Sequence, residues 1–503
     1  MQGESDMKKI IACVLSAAIV LLMLNALHVD SAKLEKDSVQ VDDPSVTYDQ
    51  QALFEELFDP QSVVDISINI SKEQIADIQQ DFTYYRKIGG KSTTYRIADS
   101  VTFTVNGRKY VIEDVGVRMK GAQSRCNFYN DILGIYNLLN LRLSFCETFD
   151  DMSDYKLDTR VWNSDKARKQ RQKRTFATMK SMELKWNASA DNTYIRNIYV
   201  NEVFRANGIP VQRCHLSSLS LGGCSMGVYR IFEPVDKDFI QRYFPEEDWG
   251  GDLYKATSTD DQALTYKLDN TYGVTRKQKA ELYNFNLKTN QSTSRNESLL
   301  RLLKVINQPG ATKADYESVV DMDQLALFTA INFAMGNIDD MRINYNNHYI
   351  YFRKSDGKAV FIPYDCELVM GDLYSWSLRE RGMTELSPYY DGSVYEDFGQ
   401  LNPLMQRTVL QGSWFEPLYT DHLREIAASK WMDFTSFRSY YDPIATHYSE
   451  KVLPSYSFMS TMHMNTAFSL EGGEQYNGNM SVAEFLKLMK DNLISHIPQN
   501  TEE

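Results

Sequence analysis

Only six cysteines occur in 503 residues, at 13, 126, 146, 214, 224 and 366, which excludes a disulfide-built scaffold. No CxxC pair and no Cys/His cluster with zinc spacing occurs, so the common structural zinc modules are excluded too. Cys126 and Cys146 are the one pair worth weighing for a bridge, and two ordinary buried thiols are the expectation. Basic charge is in deficit: 54 Lys and Arg stand against 67 Asp and Glu, for a net charge of −13. A protein that coats nucleic acid needs the opposite balance. There is no internal repeat and no G-x-G-x-x-G loop.

What is present suits a folded chain. Hydrophobic residues make up 43%, and 31 tyrosines favour a partly β structure over disorder. The length fits one large domain or two closely joined ones. At the N-terminus, Lys8 and Lys9 precede the uncharged run "IIACVLSAAIVLLMLNAL", residues 10–27. A positive region before a long apolar run is an export signal, and this run is also long enough for a marginal membrane span. Residues 1–32 are therefore expected to be a signal-anchor, with a cleaved signal peptide as the alternative. The chain is placed on the outer face of a membrane or secreted. Residues 33–60 are polar and aperiodic at their start and are expected as a linker.

From Val63, "VVDISINI" alternates as a strand does, and Ser71 with Gln74 has capping-box spacing for a helix. Hairpins are predicted at Asn106-Gly107 and Gly222-Gly223, with a strand at 137–145 between them. Residues 150–177 contain "KARKQRQKR". Without interleaved aromatics this run reads as a solvated insertion, not a nucleic-acid site. A helix is predicted from Asp191 to Ala206 and a buried one over 321–337, with residues 255–320 mostly helical. The fold class is α+β in two lobes, a β-rich part over 61–255 and a largely helical part over 256–500.

After the buried helix comes "GNIDDMRINYNNHYIYFRKSDGKAVFIPYDCE". "HYIYFR" and "AVFIPY" are strands joined through Asp356-Gly357. A turn centred on Asp356 sets Asn347 opposite Asp365, at roughly 4.5–5.5 Å between Cα atoms. A two-residue turn slips this by one. Asp339 and Asp340 lie just upstream. Such oxygens suit magnesium, which takes one or two carboxylates plus phosphate oxygens. The same order, an acidic loop, an asparagine, a hairpin and then an acid, occurs in protein kinases. Turn-forming Asp and Asn that merely cap a helix are the plain alternative.

The segments "NIDD", "NNHYIY" and "IPYDCE" resemble the CotH family of kinase-like proteins, named for spore coat protein H. Upstream, "VGVRMKGAQSR", "LKWNASADNTYIRNIYVNEVFRANGIPVQRC" and "GCSMGVYRIFEPVDKDFIQRYF" followed by "GDLYKA" resemble that family's segments in the same order. The resemblance implies an atypical protein-kinase-like fold over residues 61–500 that transfers the γ-phosphoryl of ATP to Ser or Thr of a protein. It implies Asp339 or Asp340 as the catalytic aspartate. Asn347 and Asp365 would be ligands for Mg2+, or Mn2+ in its place. Glu367 stands where a second aspartate is usual. Lys120, Arg142, Glu233 and Lys255 are implied pocket residues, the first two as phosphate contacts. The departures are "DD" for D-G, Tyr364 for a tryptophan, and a longer spacing from Asp339 to Asn347 than in H-R-D-x-x-x-x-N. The competing expectation is a cell-surface adhesion or scaffold protein without catalysis; a metal-dependent phosphohydrolase is the third. The expected acceptor is a coat- or wall-associated protein.

Overall fold

The computed structural model describes residues 38–42, 47–87, 92–121, 125–130, 135–149, 164–256, 285–342, 346–372, 381–391, 401–453, 467–476 and 478–498. The expected signal segment lies outside these residues. Among the described residues no helix is long and apolar enough to cross a membrane.

The first strands are β1 (Gln40–Val41), β2 (Val64–Asn69), β3 (Arg96–Val105), β4 (Arg108–Met119), β5 (Tyr129–Asn130), β6 (Ile135–Tyr136) and β7 (Leu141–Ser144). They are followed by β8 (Ser181–Lys185), β9 (Cys214–Leu221) and β10 (Cys224–Phe232). Strands β4-β3-β2-β9-β10-β8-β7 are neighbours in that order, and β7 pairs back onto β4, so the sheet closes into a barrel. One edge of β4 serves two partners, β1 at Tyr110–Val111 and β7 at Gly116–Met119. Strands β2 and β9 run parallel and the other neighbours antiparallel. The turn at Asn106-Gly107 has φ of 49° and 84°, which matches the twist of the flanking strands and which Asn and Gly tolerate best. Inside the barrel, Val101, Phe103, Ile112, Leu143, Leu184 and Ile231 are fully buried.

A second sheet runs in the order β12 (Phe285–Leu287), β11 (Leu253–Ala256), β13 (His348–Phe352), β14 (Ala359–Pro363). Strand β14 is at its edge, where Pro363 costs no ladder bond. The helix Met322–Ala334 covers that edge: Gln324 donates to Phe361 O at 2.7 Å and accepts from Phe361 N at 3.0 Å. Beyond its first turn this helix is apolar on nearly every side, and it lies mostly inside a separate, larger core formed with the helices after Glu297. The two cores are tied by Tyr448, whose hydroxyl meets the backbone of Val64 and Leu216. The molecule is thus mixed α+β, β-rich first and largely helical later.

Several expectations need correction. Part of the expected linker is structured: β1 joins the barrel, and the helix Gln50–Leu57, capped by Asp49, buries Leu53, Phe54 and Leu57. The Asp191–Ala206 helix begins only at Arg196, because Asp191 serves as its side-chain anchor. The basic run is not simply solvated. Its helix Asp165–Arg171 delivers Arg171 and Arg174 into buried positions, where they donate to backbone carbonyls of Glu113, Asp114, Phe145 and Glu147. Residues 150–163 lie outside the described residues. Of 255–320, described helices cover Glu297–Asn307 and Lys313–Glu317, and β12 is a strand. Cys126 and Cys146 are free thiols, the first buried and the second half-buried.

Candidate functional site

The β13–β14 hairpin closes through Arg353 and Lys358, whose backbones bond across Lys354–Gly357. Its register is one residue short of a turn centred on Asp356. His348 pairs with Pro363, and Tyr364 N bonds Asn347 O at 3.0 Å, so Asn347 faces Tyr364 and Asp365 lies one step beyond. Both Asn347 and Asp365 have left-handed backbones, φ 54° and 57°, a conformation that Asn and Asp adopt at low cost. The hairpin therefore ends in two sharp turns that carry the two candidate ligands out of the ladder.

Asn347 Nδ2 donates to Asp339 O at 2.9 Å and to Asp339 Oδ2 at 2.7 Å. The longer Asp-to-Asn spacing thus still brings the two side chains together; residues 343–345 within it lie outside the described residues. Asp340 points elsewhere. It is buried, and its Oδ1 accepts the Arg342 amide at 2.9 Å.

Asp365 meets Lys185 Nζ at 2.5 Å, with the lysine 5% exposed and the aspartate 27% exposed. Burial works against the Asp365 carboxylate, but Lys185, then Lys255 and Lys120, outweighs it and holds the group down to about 2. Glu367 goes the other way: burial and the charge of Asp365 push it up. Lys185 comes from β8, whose alternation sends Met182 and Leu184 into the barrel and Glu183 and Lys185 onto its outer wall. Lys120 donates to Glu183 and to Tyr364 Oη, the latter at 2.7 Å. Lys255 on β11 lies over the Tyr364 ring at 3.9 Å, and Lys185 over its ring at 4.8 Å. Arg142 reaches Ser181 Oγ at 2.9 Å and Glu183 at 3.8 Å.

The wall carries unusual pairings. Arg118 stands directly across from Arg142, and Lys185 directly across from Arg230. Like charges opposed across strands are destabilising. Only Glu183, opposite Arg142 on the other side, offsets them on these strands. Its carboxylate is penalised by burial but pulled down to about 2 by Lys120, Arg142 and Lys185.

Of the sequence-picked residues, Lys120, Arg142, Lys255, Asp365 and Glu367 gather between barrel wall and second sheet, with Asn347 backbone-bonded to Tyr364 and Asp339 held by Asn347. Glu233 lies apart. It follows Phe232, whose ring lies under Lys185, so it points away and pairs instead with Arg242 and Tyr243. Burial pushes its carboxyl up to about 7 against the pull of Arg242. Lys185, Glu183, Arg118 and Arg230 were not picked from sequence. The signal for two of them existed: "SMELK" places Glu183 and Lys185 on one strand face between apolar neighbours.

Cations on the barrel wall face a hairpin that ends in Asn347 and Asp365. The family model described as CotH kinase protein matches residues 151–446, more than half of the chain. The chain belongs to that family. No curated protein matches it.

Proposed function

We propose that the protein is an Mg2+-dependent kinase that moves the γ-phosphoryl of ATP to a Ser or Thr hydroxyl of a protein. The observation that carries this reading is Arg118 opposed to Arg142 on the barrel wall, beside Lys120, whose ammonium reaches the residue preceding Asp365. Opposed cations of this kind are relieved by an anion, and a triphosphate supplies one. The donor set fits a hard cation: carboxylates of Asp365 and Glu367, and the Asn347 amide, whose nitrogen is engaged by Asp339. Among the described residues no group of three or more His, Cys, Asp and Glu converges to hold a metal. The set therefore suits an ion that arrives with phosphate oxygens as further ligands.

Asp365, Glu367 and Asn347 would hold the metal, whose chemistry when bound would be to neutralise charge developing on the phosphate. Lys120, Arg142 and Lys255 hold the phosphates, and buried Lys185 balances the carboxylates. Asp339 is the base, because Asn347 orients its Oδ2, whereas Asp340 is buried and spent on its own loop. The Lys8-Lys9 segment supports a site of action outside the membrane, where coat- or wall-associated proteins are the acceptors. Incubation of the purified chain with γ-labelled ATP and Mg2+ should label such a protein or the chain itself. Normal nucleotide binding with no label on any of them overturns catalysis and leaves the scaffold reading.

The lysines give a pH signature. Burial pushes Lys120 and Lys255 down to about 7. An arriving polyphosphate favours the ammonium forms, so near pH ~8 binding takes up protons and affinity falls as pH rises. Calorimetry in buffers of different ionisation enthalpy reads this directly; zero uptake at that pH removes both lysines from the binding step. In the free chain the sign for stability is opposite. Between about 7 and the unfolded lysine value near ~10.4 the unfolded state holds more protons, so these two groups add stability as pH rises.

A further inference from the structure

Three buried side chains at the barrel wall and the loop after Glu367 carry polar atoms with no hydrogen-bond partner among the described residues. They are Asp372 with both carboxylate oxygens, Arg230 with Nε and Nη1, and Ser189 with Oγ. Asp372 is only 1% exposed, so each orphaned oxygen is a real cost, roughly 1–3 kcal/mol for an unsatisfied buried group. The three lie within electrostatic reach of one another: burial and Asp191 push the Asp372 carboxyl up, and Arg196, then Ser189, then Arg230 pull against them. Unpartnered donors on Arg230 together with unpartnered acceptors on Asp372 do not suit a simple ion. An anion would meet Asp372, and a cation would meet Arg230. Bridging water satisfies both, since it donates and accepts.

Arg230 also faces the site. Its Nη2 lies 4.0 Å from Glu367 Oε2 and 3.5 Å from Trp186 O and Asn187 Oδ1. Asp372 sits at the far end of the loop that carries Asp365 and Glu367, and its amide bonds Val369 O at 3.0 Å. We propose that Asp372 is a positioning residue: through a water-bridged pairing it fixes the Arg230 guanidinium against Glu367 and so sets the Asp365/Glu367 carboxylates for the cation. This rests on the kinase reading of that site. Partners of this outer kind orient ligands, and their loss typically weakens metal binding about 10–100-fold.

The test is Mn2+ affinity of the full chain with saturating nucleotide, with nucleotide affinity measured separately without metal. Asp372→Asn keeps the shape and removes the charge. It should weaken Mn2+ binding by about 10-fold or more, leave metal-free nucleotide affinity unchanged, and add nothing further in a Glu367→Gln background. Ser189→Ala, which removes only a neighbouring hydroxyl, should shift Mn2+ affinity in the same direction by less, and decides the matter if Asp372→Asn does not fold. Wild-type Mn2+ affinity in a folded variant overturns the positioning role alone. A wild-type chain that binds no Mn2+ overturns the site on which it rests.

Discussion

Asp365→Ala should lower phosphoryl transfer on the order of a thousandfold while the chain stays folded. Losses of about 10²–10³ follow removal of one group aimed at developing charge, and Asp365 is placed as the anchor for the neutralising cation. Its loss also strips Lys185 of its nearest anion. Truncating one partner of a buried pair costs roughly 3–5 kcal/mol, but Asp365 is 27% exposed, and Glu367 and Glu183 still attract the lysine. The stability cost should therefore fall below that range. Single-turnover transfer, with circular dichroism and Mn2+ binding on the same sample, checks it. A variant that binds Mn2+ as the wild type does, at undiminished rate, would remove Asp365 from the metal.

Asp191→Ala should produce the converse: a large loss of stability from a residue that touches no substrate. Arg196 is wholly buried, with Asp191 Oδ1 2.5 Å from its Nη1. The same carboxylate accepts from Thr193 N, Thr193 Oγ1 and Arg196 N, so it closes the turn that starts the Arg196–Ala206 helix. Arg196 in turn donates to Met370 O at 3.2 Å and Met480 O at 2.7 Å, pinning the loop after Glu367 to the segment that leads into the Val482–His496 helix. Removing Asp191 leaves that guanidinium without its counter-charge, at roughly 3–5 kcal/mol out of a typical 5–15. Urea denaturation should show a lower midpoint at unchanged slope. A midpoint within experimental scatter of the wild type would show that Asn192, Asp372 and the backbone carbonyls suffice for Arg196. The "DNTYIRN" segment that helps mark the family is thereby a structural joint.

Local chemistry was legible where it is decided locally. Asn106-Gly107 and Gly222-Gly223 both turn hairpins, because few other residues accept the positive φ seen there. The Ser71–Gln74 box was half legible: Ser71 Oγ does take the Gln74 amide, but the Gln74 side chain reaches across to Ile97 N instead. What depends on distant partners was not legible. Closure of β7 onto β4, the parallel β2–β9 pair and the buried roles of Arg171 and Arg174 all join segments far apart in sequence. The candidate site divides the same way. Asn347 and Asp365 lie on one hairpin whose ends meet, and the reading missed by only one register step. Lys185 meets Asp365 from 180 residues away, and no short motif announces it.

Strand β8 carries a consequence for how the chain folds. Met182 and Leu184 face the barrel interior, and Glu183 and Lys185 face the candidate phosphate space. A slip of one residue would exchange those sets, burying two charges among aliphatic side chains and setting apolar groups against Arg142 and Lys120. Misthreaded barrels are thus heavily penalised by the same charges that line the candidate site. Neutralising Glu183 and Lys185 together should leave a barrel with a second threading closer in energy, visible as slow heterogeneous refolding. The charges of the candidate site double as a proofreader of assembly.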